Sequence, residues 1–212
     1  EEKILLIKNK ALELCLFLSI PATIALFIAS EQIVSALFGY GSFDENGVKN
    51  SAKALVYFSL GLPAFSLIKI FSSFFFAHHN TKIPFYISLI SVILNIMISV
   101  FYFKSIGFII IPIATTISSW FNCILLFIYL KKNNLFNFNL FFLNKFIRIL
   151  IASIIMGLFF NYLIIFFDDK LAYEQNFKSA YLIGIVLLGL ISYLLIAFAI
   201  KAFKISDIKL KY

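Results

Sequence analysis

Six runs of apolar residues dominate the sequence, near residues 11–38, 52–77, 83–103, 106–130, 146–167 and 179–201. About 20 consecutive apolar residues carry an α-helix across the hydrocarbon of a bilayer. No water is present there to satisfy a loose backbone N–H or C=O, so only helices and closed barrels cross it. Each run reaches the helical length. Composition closes the soluble alternative: 62% of the residues are hydrophobic and 13% charged, against about 25% charged in a soluble domain. The expectation is an all-α integral membrane protein, a bundle of six transmembrane helices. The first two runs exceed what a crossing needs, which calls for tilt or for ends that lie in the interface.

The connections carry turn chemistry. Gly39–Asn50 is glycine-rich and acidic, His78–Lys82 (HHNTK) is short and polar, and Asp168–Lys178 is a polar loop. Lys104–Gly107 (KSIG) is tight enough to make the third and fourth helices antiparallel neighbours. Lys131–Arg148 mixes Asn, Lys and Phe and suits the membrane interface. Six crossings put the termini, HHNTK and the 131–148 connection on one side with twelve basic residues, and leave five on the other. The positive-inside rule then makes both termini cytoplasmic. The net charge of +8 therefore reads as topology, and nucleic acid is not an expected partner. The opening EEKILLIKNK has no initiator Met and no signal-peptide order, and reads as the start of a fragment whose N-terminal part is missing.

Few side chains in the spans can do chemistry. Lys69 lies within the second run, where a lysine costs about 2.5–3.5 kcal/mol on insertion scales. Either it faces an aqueous cavity, or it snorkels to the headgroups. The cytoplasmic end of its helix is near Ala77, about 12 Å away at 1.5 Å per residue, which is long for a lysine arm. Ser88, Ser91, Asn95 and Ser99 fall on one face of the third helix, and Thr115, Ser118, Ser119 and Asn122 on one face of the fourth. Asn95 and Thr115 are equally far from the intervening turn. Their oxygens suit a hard monovalent cation, while interhelical hydrogen bonding is the plainer reading. Pro21, Pro63 and Pro112 fall inside helices and favour kinks, unless they reflect only the ordinary frequency of proline in membrane helices. Ser153 with Gly157, and Ala180 with Gly184, have the spacing of close helix contacts. His78 and His79 sit in a turn without nearby acids or cysteines, and Cys15 and Cys123 are isolated, so no metal or disulfide framework is expected. No nucleophile–base pair or phosphate loop is present; the chain is not expected to be an enzyme.

Four ordered stretches between Ala11 and Leu130 carry a family likeness: LFGYGSFD (Leu37–Asp44), YFSLGLPAFSLIKIFSSFFFAHHNTKIP (Tyr57–Pro84), ISLISVILNIMIS (Ile87–Ser99) and IATTISSWFN (Ile113–Asn122). In these the chain resembles the MurJ/MviN family of lipid II flippases, within the superfamily of MATE-type exporters and polysaccharide flippases. The resemblance implies the C-terminal part of a two-lobe, MATE-like transporter of the bacterial cytoplasmic membrane. Residues 1–130 would supply four helices of its C-terminal lobe, 131–145 a cytoplasmic or interfacial linker, and 146–212 the last two helices and a tail. Its partners would be a lipid-linked peptidoglycan precursor, membrane lipids and the missing N-terminal lobe, where the family keeps arginines for the substrate's pyrophosphate. Undecaprenyl-diphosphate-linked precursor would cross by alternating access, with Lys69 lining the cavity. No cofactor is implied beyond a monovalent cation such as sodium at Asn95, Thr115 and Ser99; Ser99 stands where sodium-binding relatives carry an acid. His78, His79 and Asn80 stand where the family usually has Arg, Gln or Asn, and Asp, so the Arg and the acid that a gating ion pair would need are absent from that turn. Another superfamily exporter and a structural membrane module are the alternatives: upstream arginines would favour the flippase, upstream acids a cation-coupled drug exporter.

Overall fold

The structure is a computed structural model that describes residues 2–133 and 140–202. Its elements are α1 (Glu2–Ile28), α2 (Ser30–Phe38), α3 (Glu45–Ala77), α4 (Lys82–Ile106), a 3-10 turn (Gly107–Ile109), α5 (Ile110–Lys132), α6 (Leu140–Phe166), α7 (Asp168–Leu171) and α8 (Lys178–Ala199). No strand occurs among the described residues. Five helical stretches are long and apolar enough to cross a membrane, and the longest, Lys82–Lys132, contains both α4 and α5. Gly107, at φ 76°, reverses the chain between them. A hydrogen bond from Asn95 to Thr115 shows that the two helices run back along each other, so this stretch supplies two crossings. Side chains that a soluble protein would hide point outward: Phe101 is 75% exposed and Leu158 68%. Surfaces of that kind face lipid.

The chain divides into two compact units, Glu1–Ser19 with Leu60–Asn144, and Ile20–Ser59 with Lys145–Tyr212. In the first unit α5 runs parallel to the second half of α3. Trp120 Nε1 donates to Leu60 O at 3.0 Å, just ahead of Pro63. Gly61 permits the approach, since a Cβ there would lie 3.1 Å from Thr116 Oγ1. Ring contacts of Phe71 with Phe127 (6.1 Å) and Phe75 with Tyr129 (6.3 Å) continue the seam. The HHNTK turn closes α3: Asn80 N–H reaches back to Phe75 O and His79 N–H to Phe76 O, with His79 left-handed at φ 55°. This is a Schellman ending with histidine in the usual glycine place. Asn80 Oδ1 then accepts from Ile83 N–H and starts α4.

In the second unit, Gly157 of α6 faces α1 so closely that a Cβ would stand 2.6 Å from Ile24 Cγ2. Gly189 of α8 makes room for Phe160 in the same way, at 2.9 Å. A small cluster of Val34, Val48 and Ala52, flanked by Phe43, Leu55 and Tyr173, holds α2 against the start of α3.

Three expectations need correction. The run 11–38 is two helices, with a bend at Ala29 (φ −102°, ψ 20°). It is longer than a crossing requires, and its last nine residues are amphipathic, so they turn aside. Pro112 lies in the first turn of α5, where proline fits without a kink. Gly184 has nothing within 4 Å of a would-be Cβ, so the Ala180–Gly184 spacing is not a close contact among the described residues. Within the expected 131–145 linker, α5 runs on to Lys132 and α6 begins at Leu140; residues 134–139, and the tail from 203, lie outside the described residues.

The two glycines give a paired test. Gly157→Val should lower thermal stability by about 1–3 kcal/mol, the usual cost of overpacking, because Ile24 is β-branched and stiff. Gly184→Val should leave the unfolding temperature within error. Thermal unfolding of both variants in detergent checks this, and equal effects would refute the assigned contacts.

Candidate functional site

The polar faces of α4 and α5 meet along one seam. Asn95 Nδ2 donates to Thr115 Oγ1 at 3.1 Å and to Ser118 Oγ at 3.2 Å. Further toward the HHNTK end, Asn122 Nδ2 donates to Ser88 Oγ at 3.4 Å. The hydroxyl protons are committed elsewhere: Thr115 donates to Ile111 O at 2.8 Å and Ser118 to Thr115 O at 3.0 Å. Their lone pairs therefore turn toward the Asn95 amide. As it stands the cluster is an interhelical hydrogen-bond set. Two buried acceptors remain over, Ser99 Oγ, one turn from Asn95, and Asn122 Oδ1. An unsatisfied buried acceptor costs about 1–3 kcal/mol, so the seam retains oxygen capacity that its own donors do not use.

Lys69 stands apart from this seam. It lies eight residues before the end of α3, is exposed, and makes no hydrogen bond or ion pair among the described residues. The structure thus brings Asn95 and Thr115 together, leaves Ser99 unpartnered beside them, and joins none of the three to Lys69.

Sequence reasoning treated Lys178 as a loop charge, yet it is 1% exposed. Its ammonium donates to Gly39 O and to Tyr173 O, both at 2.7 Å. It lies 4.5 Å from the ring centroids of Tyr40 and of Tyr173. Around it Tyr40 Oη and Ser179 Oγ are 2.6 Å apart, Ser179 donates to Ala36 O, and Tyr173 donates to Phe43 O. The first turn of α8 thereby caps the last carbonyls of α2, and a cation sits at the negative end of that helix dipole. Asp44 accepts from Gly47 N–H at 2.8 Å and caps α3. The LFGYGSFD segment is accordingly a lysine cage followed by a helix cap. One signal was available: a lysine at the first position of α8 opposes that helix's own dipole and needs a partner. The partners are carbonyls and rings distant in sequence, which no local pattern reveals. Among the described residues there is no cluster of three or more His, Cys, Asp or Glu that could hold a metal.

A family model described as "Lipid II flippase MurJ" matches residues 1–181. The chain is 38% identical over 128 residues to a probable lipid II flippase MurJ of Rickettsia prowazekii, covering 60% of this chain and 25% of that protein. It is 34% identical over 202 residues to the probable lipid II flippase MurJ of Buchnera aphidicola subsp. Schizaphis graminum, covering 89% of this chain and 37% of the relative. A solved lipid II flippase MurJ in an inward closed conformation superposes with a TM-score of 0.73 at 25% identity, over 90% of this chain and 37% of the other. The chain spans from a quarter to somewhat over a third of the length of these proteins.

Removing the caged ammonium should loosen α2 from α8. Lys178→Met strands two buried carbonyls, at about 1–3 kcal/mol each, so its midpoint should fall by several degrees. Lys178→Arg restores charge but not the compact shape, and should recover only part. Proteolysis in the 39–44 segment, followed over time, should accelerate in Lys178→Met; an unchanged rate would contradict the cage.

Proposed function

The chain belongs to the lipid II flippase MurJ family, and on that footing we propose that it is the C-terminal part of a lipid II flippase. In this reading the whole protein moves undecaprenyl-diphosphate-linked peptidoglycan precursor across the bacterial cytoplasmic membrane by alternating access. The chain is a multi-pass membrane protein, as its apolar helices and family require. The twelve-to-five basic bias supports cytoplasmic termini, with HHNTK inside and the Lys178 cage outside.

The observation that carries the reading is Lys69, a charge within a crossing helix that makes no hydrogen bond or ion pair among the described residues. Such a charge is tolerated where water reaches it and becomes useful when an anion arrives. The polyprenyl tail would stay in lipid while the diphosphate crosses an aqueous cavity lined by the Lys69 ammonium. Away from bulk water the attraction is stronger, yet one lysine does not hold so tightly that release fails. The rest of the cationic cavity would come from the N-terminal lobe, whose place agrees with the 37% coverage of relatives. Residues 1–130 and 146–212 would be the lobe's four helices and the two that follow it.

Asn95, Thr115 and Ser99 would hold a monovalent cation such as sodium. The bonds now made by Asn95 Nδ2 must first give way: rotation of the amide would present Oδ1 beside Thr115 Oγ1 and the unpartnered Ser99 Oγ. Without a carboxylate the set is neutral, so the cation would be weakly held and easily exchanged.

Complementation tests the reading. The intact gene should support growth of cells depleted of their own lipid II flippase, and failure at normal expression would overturn the assignment. Lys69→Met should insert normally and transport about tenfold less, the equivalent of ~1.4 kcal/mol, while Lys69→Arg keeps most activity. Full activity in Lys69→Met would leave Lys69 as a snorkelling residue. For topology, a cysteine placed at Asp44 should react with an impermeant thiol reagent from outside the cell; labelling only after permeabilisation would invert the orientation.

A further inference from the structure

Where α3 ends and α4 begins, a cavity of about 650 Å³ opens, lined by Ser72, Phe76, Thr81, Lys82, Phe85 and Tyr86 among others. Its polar lining consists of donors without a carboxylate. Ser72, Thr81 and Lys82 make no side-chain hydrogen bond or ion pair among the described residues. Ser88, also on the wall, accepts only a long bond from Asn122. From Asn46 to Phe167, a stretch that includes all of α4 and α5, the sequence contains no Asp or Glu. Lys82 opens α4, where a cation opposes the helix dipole. The equivalent conflict at Lys178 is relieved by the carbonyls of Gly39 and Tyr173. At Lys82 no group of the described residues relieves it. The remaining walls are aromatic and open, with Phe76 52%, Phe85 62% and Tyr86 59% exposed. The cavity thus joins one cation and several hydroxyls to apolar rings, at the point where a crossing helix gives way to the polar HHNTK turn.

We propose that this cavity binds an anionic phospholipid of the adjoining leaflet. Its phosphodiester meets the Lys82 ammonium and the hydroxyls of Ser72 and Thr81, and the upper part of an acyl chain lies along Phe76 and Phe85. A free phosphate would satisfy the donors but leave the rings against water, whereas a phospholipid meets both halves of the lining. The site does not depend on the transport reading, because its occupant is a resident lipid and not cargo.

Thermal unfolding of the intact protein in detergent, supplemented with phosphatidylglycerol, phosphatidylcholine of the same chains, or inorganic phosphate, tests the site. Phosphatidylglycerol should raise the midpoint more than phosphatidylcholine does, and phosphate alone should have little effect. Lys82→Gln should unfold with wild type in phosphatidylcholine and lose the extra shift; Lys82→Arg should keep it, as should Lys104→Gln at the other end of α4. Native mass spectrometry should show fewer retained phosphatidylglycerol molecules on Lys82→Gln, a readout independent of unfolding. An undiminished phosphatidylglycerol shift and retention in Lys82→Gln would overturn the proposal. A shift from inorganic phosphate as large as that from phosphatidylglycerol would overturn the lipid assignment in favour of a free-anion site.

Discussion

In hydrocarbon, a backbone or side-chain polar group that finds no protein partner costs several kcal/mol. The hydroxyls along the crossing helices follow from that cost. Ser91 donates to Ile87 O and Ser192 to Gly189 O, each within its own helix. Such bonds satisfy the hydroxyl without a neighbour and let serine serve as a small residue at a contact. Asn95 and Trp120 instead bond across, and such crossing bonds fix which helices touch. Asn95 bonds to Thr115 and Ser118, which sets the register of α4 on α5. Trp120 bonds to Leu60 O, which sets α5 on α3 where Gly61 leaves room.

The lysines divide by the same rule. Lys178 is enclosed, so it is fully paired, by two carbonyls and two rings. Pairing by neutral groups suits a cation that must hold two helices together, because it leaves no excess negative charge. Lys69 and Lys82 have no such partners among the described residues. Both are exposed, and the sequence from Asn46 to Phe167, in which they lie, carries no acid. A cation kept free in this setting is available to an anion from outside the chain, and in a membrane the abundant anions are lipid phosphates.

The crossing helices were legible because the bilayer makes hydrophobic length a direct record of them. The hairpin of α4 and α5 was legible for a local reason: KSIG is short, Gly107 takes the positive φ that it demands, and the polar faces repeat at helical spacing. What stayed hidden depends on contacts distant in sequence. The bend at Ala29 carries no proline or glycine. Gly157 and Gly184 have the same local pattern, but only Gly157 has an isoleucine opposite. The cage of Lys178 draws on Gly39, 139 residues away. For the candidate site, the residue types of the Asn95 seam were readable, but the direction of its protons was not. That direction is what makes the seam a closed hydrogen-bond set with Ser99 left over.

The leaflet distribution of the lipid-linked precursor, in cells where the intact protein is the sole flippase, bears most directly on the function. An impermeant reagent that modifies the precursor headgroup only at the outer surface would measure it. The flippase reading predicts labelled precursor at the level of unmodified cells, falling as the protein is depleted while total precursor rises. Precursor confined to the inner leaflet, with the protein present and correctly inserted, would contradict it.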